Sequence, residues 1–213
     1  DMNTNKLQVF VFAMLFVVSA FTGCVDEDDD DKTTTTVDTT IKIGFLNPIT
    51  GPLEPDAPGF KWGADQAIMD LNKLYPNETF ELVELDSGCS GDVAGPAAQT
   101  LVDSGVVAVV GAACSGASMG ANAVLAAAGI PMISYASTNP GLSDEAAYPH
   151  FYRNVPSDAI QGPAGAAMMA DAGVTNESLA ILHMTNDYGS GLADSIKAAW
   201  EVDGSLCSAG MQG

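Results

Sequence analysis

A chain of 213 residues, 47% hydrophobic and 16% charged, can bury a core and forms one large domain or two small ones. Its formal charge is −20, with seven Lys and Arg against 27 Asp and Glu. That balance excludes the clustered cations needed to track a nucleic-acid backbone and reads as a solvated, soluble surface.

The first 24 residues stand outside the fold. Lys6 supplies a basic start, LQVFVFAMLFVVSAF (7–21) an apolar run, and FTGC (21–24) small residues ahead of Cys24. This is the pattern of a secretory signal with its cleavage site. A cysteine directly after Thr22 and Gly23 resembles a lipobox, which implies cleavage before Cys24 and a lipid on it. A transmembrane anchor is the alternative, and the apolar run is short for spanning. Both readings put the remainder outside the cytoplasm. VDEDDDDKTTTTVDTT (25–40) follows; like charges repel and threonine-rich sequence buries little, so it reads as a disordered tether.

From Ile41 the chain alternates regularly. IKIGFL (41–46) reads as a strand. Phe60, Ala64, Ala67, Ile68, Leu71 and Leu74 then line one face of a helix over 60–74. TFELVELD (79–86) is a strand, and 94–105 a helix closed by Gly105. VVAVVG (106–111) does not alternate and is expected to be a strand buried on both faces. A helix over 115–129 ends at Gly129, and IPMISY (130–135) is a strand. FYRNV (151–155) is a short extended piece and 158–173 a helix with Pro163 near its start. SLAILHM (178–184) is expected to be a strand, and the helix after it ends at Gly204.

This rhythm predicts an α/β fold with a doubly wound parallel sheet. Ligands in such sheets bind outside the carboxyl ends of the strands, here segments 47–56, 87–92, 112–118, 135–141 and 185–191. After about residue 155 one strand and two helices are too few to cover a sheet. The chain is therefore expected to be the N-terminal part of a longer protein.

VVGAACSGAS (109–118) is the stretch closest to chemistry. A nucleophile elbow around Ser115 calls for glycine at 113 and 117, and both are alanine. The two histidines, His150 and His183, carry no motif. No strand is followed by G-x-G-x-x-G, Walker A is absent, and the four cysteines lie far apart without C-x-x-C, so neither cofactor nor metal is expected. Export permits oxidation. Cys89 and Cys114 both follow strands at one sheet edge, within reach of a bridge, while Cys207 is left over with a partner elsewhere or as a buried thiol. A helix starting at Ser115 or Gly116 offers free N–H groups, a dipole end and a hydroxyl. That suits a carboxylate or another small anion, although a serine N-cap alone is a weak signal.

Taken together, IKIGFLNPITGPL, GADQAIMDLN, ELDSGC, VVAVVGAACSGAS, AGIPMISYASTNPGLS, FYRNVPSDAIQGPA and ILHMTNDYGSGLADSI resemble the substrate-binding proteins of branched-chain amino-acid ABC transporters. The likeness lies in their order and spacing over roughly 170 residues rather than in one motif. The resemblance implies a two-lobed type I periplasmic binding fold, with a first lobe over 41–153 and a truncated second lobe starting at 154. It implies a Cys89–Cys114 disulfide. It also implies a ligand site in which Ser115 and Gly116 hold a carboxylate, the loop of Ala136, Ser137 and Thr138 takes α-amino and α-carboxyl groups, and Tyr188 closes from the second lobe. Asp56 stands near where the family often has an aromatic; it would suit a ligand with an extra amine or else point to solvent. The implied role is capture of an amino acid or similar small polar solute, without catalysis, and delivery to a membrane permease. A sensor's ligand domain and an extracellular hydrolase using Ser115 or Cys114 are the alternatives.

Overall fold

The computed structural model describes residues 40–202, so the expectations for the signal, Cys24, the tether over 25–39 and Cys207 lie outside the described residues. Five strands form one wholly parallel sheet: β1 (Thr40–Asn47), β2 (Thr79–Asp86), β3 (Ala108–Val110), β4 (Met132–Ser134) and β5 (Phe151–Arg153). Five α-helices accompany them: α1 (Ala57–Leu74), α2 (Gly91–Asp103), α3 (Ser115–Ala127), α4 (Asp158–Asp171) and α5 (Asp187–Val202). Short 3-10 turns occupy Glu54–Asp56 and Pro140–Ser143.

The strand order is β2-β1-β3-β4-β5. β1 pairs with β2 along its whole length, Thr40 opposite Thr79 through Asn47 opposite Asp86, and with β3 through Ile43 to Phe45 on its other side. The chain thus moves outward from β1 to β2, crosses back, and continues on the opposite side. That reversal leaves a crevice beyond the carboxyl ends of β1 and β3, where the connections depart in opposite directions.

The two sheet faces are covered unequally. On one face α2 and α3 bury Leu46, Val109 and Met132 together with Leu101, Leu125 and the small residues Ala94, Ala98, Ala117 and Ala121. These helices approach closely because Gly91 and Gly120 face each other; a Cβ on Gly120 would lie 2.5 Å from the Gly91 Cα. On the other face α1 presents Phe60, Ala64, Ile68 and Leu71 toward Phe45, Leu82, Val110 and Tyr135. Tyr135 stacks at a tilt on both Phe45 and Phe60. Ile133 and Tyr152 on the same side remain 43% and 58% exposed.

Two expectations are corrected here. The stretch 106–111 is not buried on both faces: its ladder is only Ala108–Val110, Val109 is buried, and Val107 is exposed. The lack of alternation reflects an apolar face that α1 covers only in part. Residues 178–184 form no strand, since no neighbouring strand among the described residues offers them a ladder, and Leu182 is almost fully exposed. Helix starts also move. α2 begins at Gly91 because Ser90 Oγ accepts the Asp92 N–H at 3.2 Å, a cap upstream of the apolar pattern. α4 starts where expected, with Ser157 Oγ accepting the Ala159 N–H.

Candidate functional site

Each of the five segments expected from the sequence to line a site contributes to one cleft of ≈ 690 Å³, although 185–191 follows no strand. Pro52 and Leu53 enter after β1, and Cys89, Ser90, Gly91 and Asp92 after β2. Ala113, Cys114, Ser115 and Gly116 enter after β3, and Ala136 and Thr138 after β4. Gln161 projects from α4, Met184 and Asn186 lie just ahead of α5, and Asp187 and Tyr188 open it.

The floor is the turn from β3 into α3. Gly111 ends the strand with φ +119°, and a Cβ there would lie 2.6 Å from the Leu46 carbonyl oxygen, so only glycine lets the chain turn this close to β1. α3 then starts at Ser115, and its first helical bond at this end runs from the Ser118 N–H to the Cys114 carbonyl. The N–H groups of Ser115, Gly116 and Ala117 precede that bond and have no partner within the helix. Ser115 Oγ accepts the Asn139 N–H at 3.3 Å, which leaves its own proton free to donate. A hydroxyl donor beside a helix N-terminus makes a seat for a carboxylate.

The β4 loop is fastened to this turn from below. Ser134 Oγ donates to the Ala112 carbonyl at 2.6 Å and accepts the N–H groups of Ala136 and Ser137. Ser137 Oγ sits within 3.2 Å of the Ala112 and Ala113 carbonyls and 2.8 Å from Ser118 Oγ. Beside it, Thr138 Oγ1 donates to Asp158 Oδ2 at 2.8 Å, and the Asp158 N–H donates back to the Thr138 carbonyl. Asp158 is fully buried; burial pushes its carboxyl above the ordinary value, opposed by the Thr138 hydrogen bond and the Arg153 charge. Asn139 Nδ2 donates to the Asp187 carbonyl, tying the β4 loop to the start of α5.

The walls are fixed by a disulfide and by Asp86. Cys89 and Cys114 are bonded with their Cα atoms 5.1 Å apart, joining the β2 and β3 loops. Asp86, at the end of β2, accepts from Thr50 Oγ1 at 2.6 Å and from the N–H groups of Thr50 and Gly88. Burial would raise its carboxyl, but these hydrogen bonds outweigh that and hold it below the usual value.

The cleft therefore gathers Ser115, Gly116, Ala136, Thr138 and Tyr188 of the residues singled out by sequence, together with Cys89 and Cys114. Ser137 does not line it: its side chain is buried against the Ala112 and Ala113 carbonyls, where it braces the loop. Asp56 does not line it either, since it ends a 3-10 turn and is exposed. Neither histidine lines the cleft, and the Cys114 sulfur is bonded, so the hydrolase alternative finds neither a histidine beside Ser115 nor a free thiol. Sequence reasoning missed Ser90, Asp92, Asn186 and Asp187, although all four fall inside those five segments. Gln161 lies within a helix and had no such signal. Among the lining residues Asp92 and Asp187 are acidic and none is Lys or Arg.

A family model described as periplasmic binding protein matches residues 40–206. This chain belongs to the periplasmic binding protein family, a family of transporter substrate-binding proteins rather than enzymes. One relative is the leucine-, isoleucine-, valine-, threonine- and alanine-binding protein of Pseudomonas aeruginosa, 30% identical over 167 residues, which are 78% of this chain and 44% of the relative. A metabotropic glutamate receptor-like protein of Dictyostelium discoideum is 30% identical over 184 residues, 86% of this chain and 22% of the receptor. The crystal structure of a branched-chain amino acid transporter substrate-binding protein of Streptococcus pneumoniae, in complex with isoleucine, matches with a TM-score of 0.63 and 27% identity, over 76% of this chain and 47% of that one. This periplasmic binding protein thus spans less than half the length of these relatives.

Two outcomes are expected from the walls of the site. Replacing both bridging cysteines, Cys89→Ser with Cys114→Ser, should lower the urea-unfolding free energy by about 2–4 kcal/mol, the usual worth of a disulfide. Asp86 has a depressed carboxyl, so its stabilisation is present above the unfolded value of about pH 4 and is lost as pH falls through the lower folded value. Urea midpoints followed into acid should decline in wild type over that window, and Asp86→Asn should flatten the decline.

Proposed function

We propose that the chain is the ligand-capturing part of an extracytoplasmic lipoprotein, anchored through Cys24, that binds an amino acid for an ABC importer. The first lobe, 41–153, would carry the carboxylate seat, and the segment from 154 would begin the second lobe, which closes over the ligand through Tyr188. The observation that carries this reading is the junction of Ser115 and the α3 N–H groups with Thr138 in one cleft. Donors for a carboxylate stand beside the Thr138 hydroxyl, which donates its proton to Asp158 and keeps its oxygen lone pairs for an ammonium, the layout a zwitterion needs. The charge of the lining narrows the class. Asp92 and Asp187 with no lining cation favour a neutral or basic amino acid over a dicarboxylic one.

The named ligands of the Pseudomonas relative and the isoleucine bound in the streptococcal structure support branched-chain or small neutral side chains. The Dictyostelium receptor-like relative favours a second reading, in which the same fold serves as the ligand domain of a sensor and the permease is not the partner. Pull-down from solubilised membranes separates them, since the importer reading expects permease subunits to be retained.

Thermal-shift screening of the chain against the twenty standard amino acids tests the ligand class. Neutral zwitterions should raise the melting temperature by mass action, and aspartate and glutamate should not. Ser115→Ala should weaken the best binder by about 1–3 kcal/mol, roughly 5- to 150-fold, as loss of a hydrogen bond to a charged group does. A flat response to all twenty would contradict the reading.

A further inference from the structure

The chain contains a single arginine among 27 acidic residues. It is Arg153, the last residue of β5, paired in register with Ser134. Arg153 does not line the cleft. Its guanidinium instead reaches behind the β4 loop: Nη1 donates to the Asn139 carbonyl at 2.9 Å and lies 3.4 Å from the Ser137 carbonyl, while Nη2 donates to Ser143 Oγ. The two carbonyls flank Thr138, whose own hydroxyl and carbonyl are taken by Asp158. The loop is thereby held from both ends of the crossover that leaves the sheet. Arg153 holds the carbonyls of the two residues that flank Thr138, and Asp158 holds Thr138 itself.

We propose that Arg153 is a positioning residue for ligand binding, setting the geometry of Ala136–Asn139 through the carbonyls of Ser137 and Asn139 without touching the ligand. Three acceptors on three residues need a planar fork of donors in fixed directions. A guanidinium supplies that fork, and the compact ammonium of lysine does not. Asp158, fully buried with its Oδ1 lacking a hydrogen-bond partner, is a nearby acid whose charge favours the Arg153 cation. Without Arg153 the Ser137 carbonyl loses its donor and the Asn139 carbonyl keeps only the Leu142 N–H, which loosens the residue that also donates to Ser115 Oγ and to the Asp187 carbonyl. The consequence reaches the carboxylate seat and the α5 side of the cleft together.

The proposal rests on the amino-acid reading above, and calorimetric titration separates the two. L-leucine is titrated into the full chain first, then the other nineteen standard amino acids in turn. With the strongest binder as probe, Arg153→Ala should lose at least tenfold in affinity at a temperature where circular dichroism shows it folded. Arg153→Lys should lose nearly as much. Millimolar guanidinium chloride should restore part of the affinity of Arg153→Ala, and methylammonium should not. Leu125→Ala is the control, since it empties a fully buried core position away from the cleft and should lower the melting temperature while keeping the affinity of the folded protein. Wild-type affinity in Arg153→Lys, or a loss of affinity in Leu125→Ala matching that of Arg153→Ala, would overturn the positioning role alone. Absence of binding by wild type to all twenty would overturn the amino-acid reading and the proposal with it.

Discussion

The position of β1 between β2 and β3 is the constraint on which the rest depends. Parallel pairing on both sides of one strand forces the connections after β1 and β3 to part, and the crevice they leave is the cleft. Gly111 then lets the β3 connection turn against the Leu46 carbonyl, so that α3 starts at the crevice and its free N–H groups line it. The close approach of α2 and α3 through Gly91 and Gly120 brings the β2 and β3 loops near enough for Cys89 and Cys114 to bond. Topology, two close backbone contacts and one covalent clip follow in sequence.

Much of this architecture was legible in the sequence because it rests on local periodicity. The eight-residue strands β1 and β2 and the single apolar face of α1 carry patterns of period 2 or 3.6 strong enough to stand alone. The strand-end rule located nearly the whole cleft before any side chain was placed. What was not legible depends on pairing and distant contacts. Residues 178–184 have strand composition, but a strand exists only against a partner. Ser137 and Thr138 are adjacent hydroxyl residues in one loop, and sequence does not distinguish the one that faces the cleft. Their difference arises from the Ala112 and Ala113 carbonyls on one side and Asp158 on the other.

Hydroxyls and backbone carbonyls dominate the interior of this site rather than charges. Ser118, Ser134 and Ser137 gather around two carbonyls, Thr138 meets one buried carboxylate, and the sole arginine serves the loop from behind. A cleft built this way holds its shape before a ligand arrives, so binding energy is not consumed in ordering the loops. It also leaves the opening acidic, in keeping with the charge of the whole chain.

The central claim is that a carboxylate-bearing solute sits between the α3 N-terminus and the β4 loop. Amide chemical shifts in ¹H–¹⁵N spectra, recorded while the best-binding amino acid is added, test it most directly. The largest changes are expected at Ser115, Gly116, Ala117 and Thr138, with smaller ones at Tyr188. Saturable changes centred instead on the α1 face, around Phe60 and Ile133, would contradict it.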